Sequence, residues 1–356
     1  MTILVDVDGL RSAVVDLLHA AGVDTAGAEI TADCLLSAEL DGVSSHGIAL
    51  LPLYLDKLQA GGVAPRATID TVSDAGAFVV LDANHCLGPV SSARTTDLVL
   101  ERAARHGIGY VAVRNAFHFG AAAFWTRRLA GRGVVGVAMS NTRPLMPAPG
   151  GARALVGNNP LSIAFPSTEG APVVVDMAMS ATAMGKIRLA DAAGQPIPSG
   201  WATDAAGQPT TSARDAIAGM LLPAAGPKGF GLAVAIDLLC GGLSGGAVGP
   251  AVKPLYGDPA RRYECAHAFL AIDPRVAEAA GGIAQAADAF AHRIREADRA
   301  AGVDRLFAPG DIERANRASR ERSLPLPSAL AQQIETRLQA LEPGRSLPIL
   351  PTGSKP

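Results

Sequence analysis

Two short polar segments place a histidine among hydroxyl, amide and glycine residues. They are Asp41-Gly-Val-Ser-Ser-His46-Gly47 and Asn115-Ala-Phe-His118-Phe-Gly120. An imidazole whose pKa is near 6.5 can give or take a proton at neutral pH, so both histidines are candidate acid/base residues. The alternatives are a helix-capping loop, in which one of the two serines is the N-cap, and a histidine without a chemical role.

Two of the five lysines lie beside glycines, where a ligand can approach the backbone closely. Lys186 follows Met184-Gly185, and Lys228 lies in Gly226-Pro-Lys-Gly-Phe-Gly231 at a predicted helix start. Free N–H groups and a cation at such a start suit a phosphate, and a solvated surface lysine is the alternative. Asp176 directly follows a predicted strand, and it is either a catalytic carboxylate or a cap.

A G-x-G-x-x-G pattern is present at Gly131, Gly133 and Gly136. In a dinucleotide-binding fingerprint this pattern follows a strand and opens a helix. Here the order is reversed, because residues 124–129 before it are predicted to be helical and residues 134–139 after it are predicted to form a strand. We therefore interpret the pattern as a turn at the end of a helix rather than as a pyrophosphate site.

The elements that position these segments are predicted from apolar spacing and from glycine, proline and capping residues. The first 60 residues are predicted to be helical, with Thr25 as a helix N-cap, Asp41-Gly42 as a helix end and a domain boundary near residue 72. Beyond it, predicted strands at 78–81, 108–113, 134–139, 161–165, 173–175 and 268–272 alternate with predicted helices near 90–105, 121–129, 229–243 and 274–300. The chain then returns to helix and ends in a Pro/Gly/Ser tail that is predicted to be disordered.

Composition argues against several classes of function. The formal net charge is −2, with 31 basic and 33 acidic residues interspersed, which does not suit nucleic acid or an anionic membrane. The four cysteines are scattered without a Cys-x-x-Cys pair, so neither a disulfide framework nor a metal site is predicted. The most apolar window, 231–249, is interrupted by Asp237, and the first ten residues lack a basic region, so we expect a cytoplasmic protein.

The polar segments form an ordered series along nearly the whole chain, and this series resembles the malate/L-lactate dehydrogenase family. Each motif is short, but their common order and spacing make the resemblance specific. The motifs are Asp-Gly-Val-Ser-Ser-His46-Gly, Asn115-x-x-His118-Phe-Gly, Ser140-Asn-Thr-x-Pro-Leu-Met, Gly157-x-Asn-Pro160, Val-Asp176-Met-Ala-x-Ser, Gly185-Lys186, Pro196-x-Pro-x-Gly-Trp201, Lys228-Gly-x-Gly231 and Pro309-Gly-Asp311.

The resemblance implies a homodimer of the α/β (α+β) class, with a largely antiparallel central sheet in place of a Rossmann fold. Residues 1–72 and 300–356 would form a helical domain from both chain ends. Residues 73–299 would form the sheet domain that binds NAD or NADP. The active site would lie between the two domains.

The resemblance also implies roles for individual residues. His46 would be the proton donor or acceptor at the substrate, with Ser45 beside it, Asp176 orienting it and His118 as a second acid/base. The implied cofactor-binding residues are Ser140, Asp176, Met177, Ala178, Met179, Ser180, Lys228, Pro309, Gly310 and Asp311. The candidate substrate-binding residues are Arg143, Asn159 and Lys186, and no metal is implied.

Three positions depart from the family pattern. Family members often carry arginine four residues after the motif histidine, where this chain has Leu50. Arg143 is unusual between Thr142 and Pro144, and Asp311 replaces the common glutamate. A substrate carboxylate in a partly desolvated site needs a cation or several N–H donors, so we hypothesise that Arg143 replaces the missing arginine.

The predicted reaction is hydride transfer between a nicotinamide and C2 of a small 2-hydroxy or 2-oxo carboxylate. Hydride that arrives at C2 leaves an alkoxide that needs a proton, and a histidine can supply it. One alternative is a reductase of cyclic imines such as pyrroline- or piperideine-2-carboxylate. Another alternative is a catalytically inactive protein that binds the cofactor.

Overall fold

The structure is a computed structural model that describes residues 2–277 and 282–350. Its strands are β1 (Thr2–Asp6), β2 (Asp70–Asp74), β3 (Phe78–Asp82), β4 (Ile108–Ala116), β5 (Val135–Ser140), β6 (Met146–Pro147), β7 (Ala154–Val156), β8 (Leu161–Phe165), β9 (Val173–Met177), β10 (Ala202–Thr203), β11 (Pro209–Thr210), β12 (Met220–Leu221), β13 (Cys265–Ile272) and β14 (Ser323–Pro327). Its helices are α1 (Val7–Ala20), α2 (Thr25–Leu40), α3 (Leu51–Ala60), α4 (Gly88–His106), α5 (Ala122–Ala130), α6 (Met184–Ala192), α7 (Ala213–Ala218), α8 (Pro227–Asp237), α9 (Gly282–Glu296), α10 (Asp311–Ser319) and α11 (Ser328–Leu341).

Seven strands form the central sheet, in the order β2-β3-β4-β13-β5-β8-β9. The β3–β4 pair is parallel, and the other neighbouring pairs are antiparallel. This confirms the predicted mixed α/β class with a largely antiparallel sheet. Among the described helices, none is long and apolar enough to cross a membrane.

The two ends of the chain meet in a small sheet that the sequence did not predict. β1 pairs antiparallel with β14, from Thr2 opposite Pro327 to Asp6 opposite Ser323, and α1 packs against α11. The backbone N–H of Leu350 donates to the Leu4 carbonyl at 2.9 Å, so residues 347–350 run along β1. The prediction of a disordered tail is therefore wrong up to residue 350, and residues 351–356 lie outside the described part.

Some predicted boundaries also differ from the observed ones. Asp24, not Thr25, is the N-cap of α2, and its carboxylate accepts from the Gly27 N–H at 2.7 Å. The predicted domain boundary near residue 72 stays a prediction, and β2, which pairs with β3 in the central sheet, spans that position. The helix predicted over 274–300 is a 3₁₀ turn at Pro274–Ala277 followed by α9, and residues 278–281 between them are outside the described ranges.

The interpretation of the G-x-G-x-x-G pattern as a turn is confirmed. α5 ends at Ala130, the Gly131 N–H donates to the Arg127 carbonyl at 2.8 Å, and β5 begins at Val135. The glycines therefore connect a helix to a strand and do not form the start of a helix where a pyrophosphate could bind.

Candidate active site

His46 lies in a 3₁₀ turn, Ser44–His46, that connects α2 to α3. The buried carboxylate of Glu39, in the last turn of α2, accepts from Ser44 Oγ at 2.7 Å and from the Ile48 N–H at 3.0 Å. Burial raises the pKa of Glu39, while these hydrogen bonds oppose the shift. One carboxylate thus holds both sides of the turn and fixes the position of the imidazole.

His118 follows the end of β4, where the strand contains a bulge between Val113 and Ala116 relative to β13. Asn115 in this bulge has a left-handed φ of 50°, and its Nδ2 donates to both carboxylate oxygens of Asp82 at 2.9 and 3.0 Å. A bulge redirects the chain at a strand end, and here the Asp82 carboxylate holds that redirected backbone in place. The asparagine of the second polar segment therefore shapes the path to His118.

A buried tyrosine holds the His118 imidazole. Tyr54 Oη on α3 lies 2.8 Å from His118 Nδ1 and 3.0 Å from the His118 carbonyl oxygen. The Gly120 N–H also donates to Nδ1 at 3.2 Å, and a φ of 76° at this residue favours glycine. Since an N–H donor requires a lone pair on Nδ1, the neutral ring carries its proton on Nε2.

The two imidazoles lie side by side, with ring centroids 5.5 Å apart. Ser45 Oγ is 2.9 Å from His46 Nδ1, as the predicted neighbourhood of these two residues requires. Desolvation lowers the pKa of His46. Desolvation, together with the nearby His46 and His267, lowers the pKa of His118 well below its usual value. Both shifts favour the neutral imidazole near pH 7. In this state a ring can accept a proton or donate a hydrogen bond, and it must take up a proton before it can act as an acid.

Asp176 lies near the end of β9 and faces the start of α5. Its carboxylate accepts from the Ala123 N–H at 3.2 Å, and among the described contacts it has no hydrogen bond with His46, whose Nδ1 contacts Ser45 instead. Desolvation by the surrounding protein raises the pKa of Asp176 to about 6, although part of the residue is exposed. Its observed contact is with the first turn of a helix that precedes it in the chain, so it does not cap the segment that follows it, and its catalytic role stays a prediction.

The segment 176–182, expected to contact the cofactor, runs beside the chain that enters α8. The Ala181 N–H donates to the Leu222 carbonyl at 2.8 Å, and the Ala224 N–H donates to the Met179 carbonyl at 2.9 Å. Lys228 follows in the first turn of α8, exposed. Two predicted cofactor-binding segments, far apart in sequence, are therefore adjacent.

The third predicted cofactor segment, Pro309-Gly310-Asp311, also lies against β9. The Val174 N–H donates to the Pro309 carbonyl at 3.2 Å. The Asp311 carboxylate is buried and bonded to Arg295 at 2.9 Å through both oxygens and to Arg314 at 2.8 Å. These contacts hold the Pro309–Gly310 backbone in place and bond the Asp311 carboxylate to arginines of the same chain, and its role toward the cofactor stays a prediction.

Asn159 and Ser140, expected to contact substrate and cofactor, are buried and bonded to neighbouring backbone. Asn159 Oδ1 accepts from the Thr142 N–H at 2.9 Å, and its Nδ2 donates to the Ala233 carbonyl at 2.8 Å. Ser140 Oγ donates to the carbonyl oxygens of Asn141 and Ala266. The contacts observed for both side chains are therefore contacts that fix the backbone around β5 and β8.

The charges of Arg143 and Arg188 both act on one tyrosine, Tyr256, which is largely exposed. Partial desolvation of the phenol raises the pKa of Tyr256, while the positive charges of Arg188 and Arg143 oppose that shift. Among the described residues, neither arginine has an ion-pair partner. Lys186 is exposed on α6, two residues before Arg188, and Leu50 is buried. Leu50 therefore supplies no cation, and the cations available to a substrate lie on other elements.

Sequence reasoning missed the residues that hold the histidines. Glu39, Tyr54 and Asp82 lie on elements that it identified only as apolar helices or a strand. Tyr54 carried a usable signal, because a buried tyrosine needs a partner for its hydroxyl and this one lies eight residues after His46. Glu39 carried another, since a carboxylate in a helix whose other residues are apolar is buried only when it is hydrogen-bonded.

Comparison with known proteins shows the family of this chain. The sequence profile of the malate/L-lactate dehydrogenase family matches residues 5–335. The (2R)-3-sulfolactate dehydrogenase (NADP(+)) of Chromohalobacter salexigens is 38% identical over 89% of this chain and 92% of its own length. The solved sulfolactate dehydrogenase from Methanocaldococcus jannaschii superposes with a TM-score of 0.90 at 32% identity, covering 96% of this chain and 97% of its own.

A third relative is a reductase of a cyclic imine. The solved delta1-piperideine-2-carboxylate reductase from Pseudomonas syringae pvar. tomato has a TM-score of 0.83 at 28% identity, over 95% of this chain and 99% of its own. This chain belongs to the malate/L-lactate dehydrogenase family, as its motifs predicted. The sulfolactate relatives are dehydrogenases and the third relative is a reductase, which together support an oxidoreductase.

Proposed function

We propose that the protein transfers hydride between NAD or NADP and C2 of a small 2-hydroxy or 2-oxo carboxylate. The observation that carries this proposal is the pair of neutral imidazoles 5.5 Å apart. Each ring is held through Nδ1, and neither Nε2 has a hydrogen-bond partner among the described residues. Two ring nitrogens are thus available to one small substrate.

The chemistry requires a proton at the oxygen on C2. The nicotinamide supplies the hydride, and the protein must supply that proton and orient the acid. In oxidation the neutral His46 is the proposed proton acceptor. In reduction His46 first takes up a proton from solvent and then donates it to the oxygen on C2. His118, with its proton on Nε2, donates a hydrogen bond to the same oxygen and stabilises its developing charge.

The residues near α8 and β9 fit a dinucleotide. The segment 176–182 contains a buried hydroxyl, Thr182 Oγ, that has no hydrogen-bond partner among the described residues. Lys228 and the free N–H groups in the first turn of α8 suit a phosphate. We propose that segment 176–182, Lys228 and Pro309-Gly310 hold the cofactor, in either its NAD or its NADP form.

The proposed substrate carries a carboxylate, and its partner is Arg143. This half-buried guanidinium has no ion-pair partner among the described residues, and it shares the neighbourhood of Tyr256 with Arg188. Two cations suit a substrate with a second anionic group, which sulfolactate and malate both have. The relatives named for sulfolactate support that class, and the piperideine-carboxylate reductase keeps a cyclic imine as the second candidate.

A homodimer in the cytoplasm is part of the same proposal. Leu232, Leu239 and Leu243, on α8 and the turn that follows it, are exposed, and their spacings of seven and four residues place them on one helical face. An exposed apolar stripe of this kind is typical of a surface that packs against another chain.

Cofactor binding is tested by thermal unfolding with NADH and NADPH. A ligand at 100 times its Kd adds about 2.7 kcal/mol to the free energy of unfolding, which raises Tm measurably. We expect a shift with at least one cofactor, a smaller shift for Lys228→Ala and an unchanged shift for Lys253→Ala, which removes an exposed lysine elsewhere. No shift of the wild-type protein at millimolar concentration of either cofactor would reject the proposal.

The role of Arg143 is tested with 2-oxo acids and cyclic imines under both reduced cofactors. Arg143→Ala should raise KM for the best carboxylate about 10-fold, the effect of losing a charge-assisted hydrogen bond of roughly 1.5–3 kcal/mol. KM for the cofactor should barely change. Arg132→Ala, an exposed arginine in the turn before β5, is the matched control. Unchanged kinetics of Arg143→Ala would move the role to Arg188.

A further inference from the structure

Lys57, on α3, is a fully buried cation. Its ammonium donates to the Arg261 carbonyl at 2.7 Å and lies 3.5 Å from the Asp258 carbonyl. Desolvation lowers the pKa of Lys57, and a nearby aspartate opposes the shift. A buried ammonium is tolerated only when it is hydrogen-bonded, so Lys57 and these two carbonyls hold each other in place. Both belong to one loop, residues 253–263.

The same loop also touches the chain just after the end of α3. A Cβ built on Gly62 would lie 2.1 Å from the Pro259 carbonyl oxygen and 3.1 Å from that of Arg261. The absence of a side chain at residue 62 therefore lets the two backbones meet. Lys57 and Gly62 together join the C-terminal end of α3 to the tip of the loop.

The loop has little else to hold its tip. Its ends are tied by the Lys253 N–H, which donates to the Tyr263 carbonyl at 3.2 Å, and residues 256–262 between them are exposed. Exposed residues contribute little apolar burial, so the position of the tip depends on its polar contacts. Lys57 supplies these contacts from the protein interior.

The loop also reaches the candidate active site. The Tyr263 ring lies 6.2 Å from the ring of Phe117, which lies 4.9 Å from Tyr54, the tyrosine that holds His118. At the tip, Tyr256 is exposed and lies near Arg143. Tyr54 and Lys57 are one turn apart on α3. One helix therefore positions the acid/base histidine and the loop that carries Tyr256.

We infer that Lys57 is a positioning residue that holds loop 253–263 so that Tyr256 completes, with Arg143, the subsite for the substrate's anionic group. This inference rests on the proposed function. A loosened loop would weaken substrate binding through Tyr256, while the histidine pair and the cofactor segments keep their own supports. The expected signature is a change in KM for the acid without a matching change in kcat.

Two variants loosen the loop by different means. Lys57→Met removes the ammonium but keeps an unbranched side chain, and Gly62→Ala inserts a Cβ against the Pro259 carbonyl. Each should raise KM for the best 2-oxo acid about 5-fold or more, with kcat and the KM for the cofactor within about twofold. Lys253→Met, which removes an exposed lysine of the same loop, is the control and should match the wild-type protein. Amide hydrogen exchange of residues 253–263 should be faster in both variants.

The outcomes separate this inference from the function on which it rests. A wild-type protein that reduces neither 2-oxo acids nor cyclic imines contradicts the proposed function, and hydrogen exchange then decides about Lys57. Unchanged exchange of the loop in both variants overturns the inference. Faster exchange with unchanged KM overturns it as well, because the loop would then be held without consequence for the substrate. A variant that fails to fold leaves the other to decide.

Discussion

Two polar regions of the molecule contain residues of the family motifs, and they use their polar atoms differently. The carboxylate of Asp237, which is 3% exposed, has a hydrogen-bond donor for each of its oxygens. Asn141 Nδ2 donates to one oxygen at 2.8 Å, and the Gly249 N–H donates to the other at 3.0 Å. Around His46 and His118, each ring is held by one nitrogen only. We call the region around Asp237 the closed region, because its polar atoms bond one another, and the region around His46 and His118 the open region, because each ring keeps one nitrogen for a ligand.

This difference separates residues that hold the fold from residues that can meet a ligand. Burial raises the pKa of Asp237, while hydrogen bonds from Asn141, Gly249 and Asn159 oppose the shift, so a charged carboxylate is matched by internal donors. The neutral imidazoles keep a donor or acceptor that no described residue uses. Motif membership alone does not distinguish the two cases, whereas an account of hydrogen bonds does.

The largest expected effect comes from removing an imidazole of the open region. His46→Ala should lower kcat by roughly 100-fold or more, because general acid/base groups contribute factors of this size, while cofactor affinity stays near wild type. Steady-state kinetics with the best substrate and equilibrium titration of the cofactor measure the two quantities. His292→Ala is the control, since this exposed histidine pairs with Glu169 at 3.0 Å on α9. A near-normal kcat would make His46 structural and leave His118 as the leading acid/base.

Sequence reasoning could predict the open region better than the closed one. Histidines near glycines and serines indicate chemistry by their type, so His46 and His118 were singled out before their rings were known to be neighbours. Asn159 and Ser140 lie in the family motifs, and their roles toward ligands stay predictions. The structure shows their side chains bonded to backbone groups of distant strands and a helix, which the sequence does not reveal. No local pattern reveals which backbone groups will surround a buried amide.

The fold also contains elements that the sequence predicts and elements that it does not. Six of the seven strands of the central sheet carry β-rich runs bounded by turn residues, and the sequence predicts them. The seventh, β2, is exposed along its whole length and has no such apolar run, so the sequence does not predict it. The pairing of β1 with β14 joins residues more than 300 positions apart, between short strands that begin and end at helices. Such pairing depends on tertiary packing and not on a local period, so both strands were missed.

The next largest expected effect comes from removing a hydrogen-bond donor of the closed region. Asn141→Leu removes a donor to the buried Asp237 carboxylate and should lower the free energy of unfolding by about 2 kcal/mol, the value of a hydrogen bond to a charged group. Urea denaturation measures it, with Gln333→Leu on the exposed side of α11 as the control. For the variant that remains folded, kcat should change little. A large loss of kcat at wild-type stability would place Asn141 among the ligand-binding residues.

The smallest expected effect concerns Tyr54. This residue is buried in the core, and its hydroxyl contacts His118 in the open region. Tyr54→Phe keeps the ring against Phe117 at 4.9 Å and removes the hydroxyl that lies 2.8 Å from His118 Nδ1. The Gly120 N–H still donates to Nδ1, so the neutral tautomer is retained, but the ring loses one of its two supports.

We therefore expect kcat to fall about 10-fold, less than for the loss of an imidazole, because a positioning contact is lost while the proton donors remain. Tyr110→Phe is the matched control, since its hydroxyl donates to the Leu239 carbonyl at 2.9 Å and its ring stacks on Phe78, away from the histidines. Both variants lose one tyrosine hydroxyl, so a similar fall in Tm with a fall in kcat only for Tyr54→Phe isolates the contact with His118. Equal kcat in the two variants would mean that Tyr54 supports the fold alone, and that His118 is held sufficiently by the backbone of Gly120.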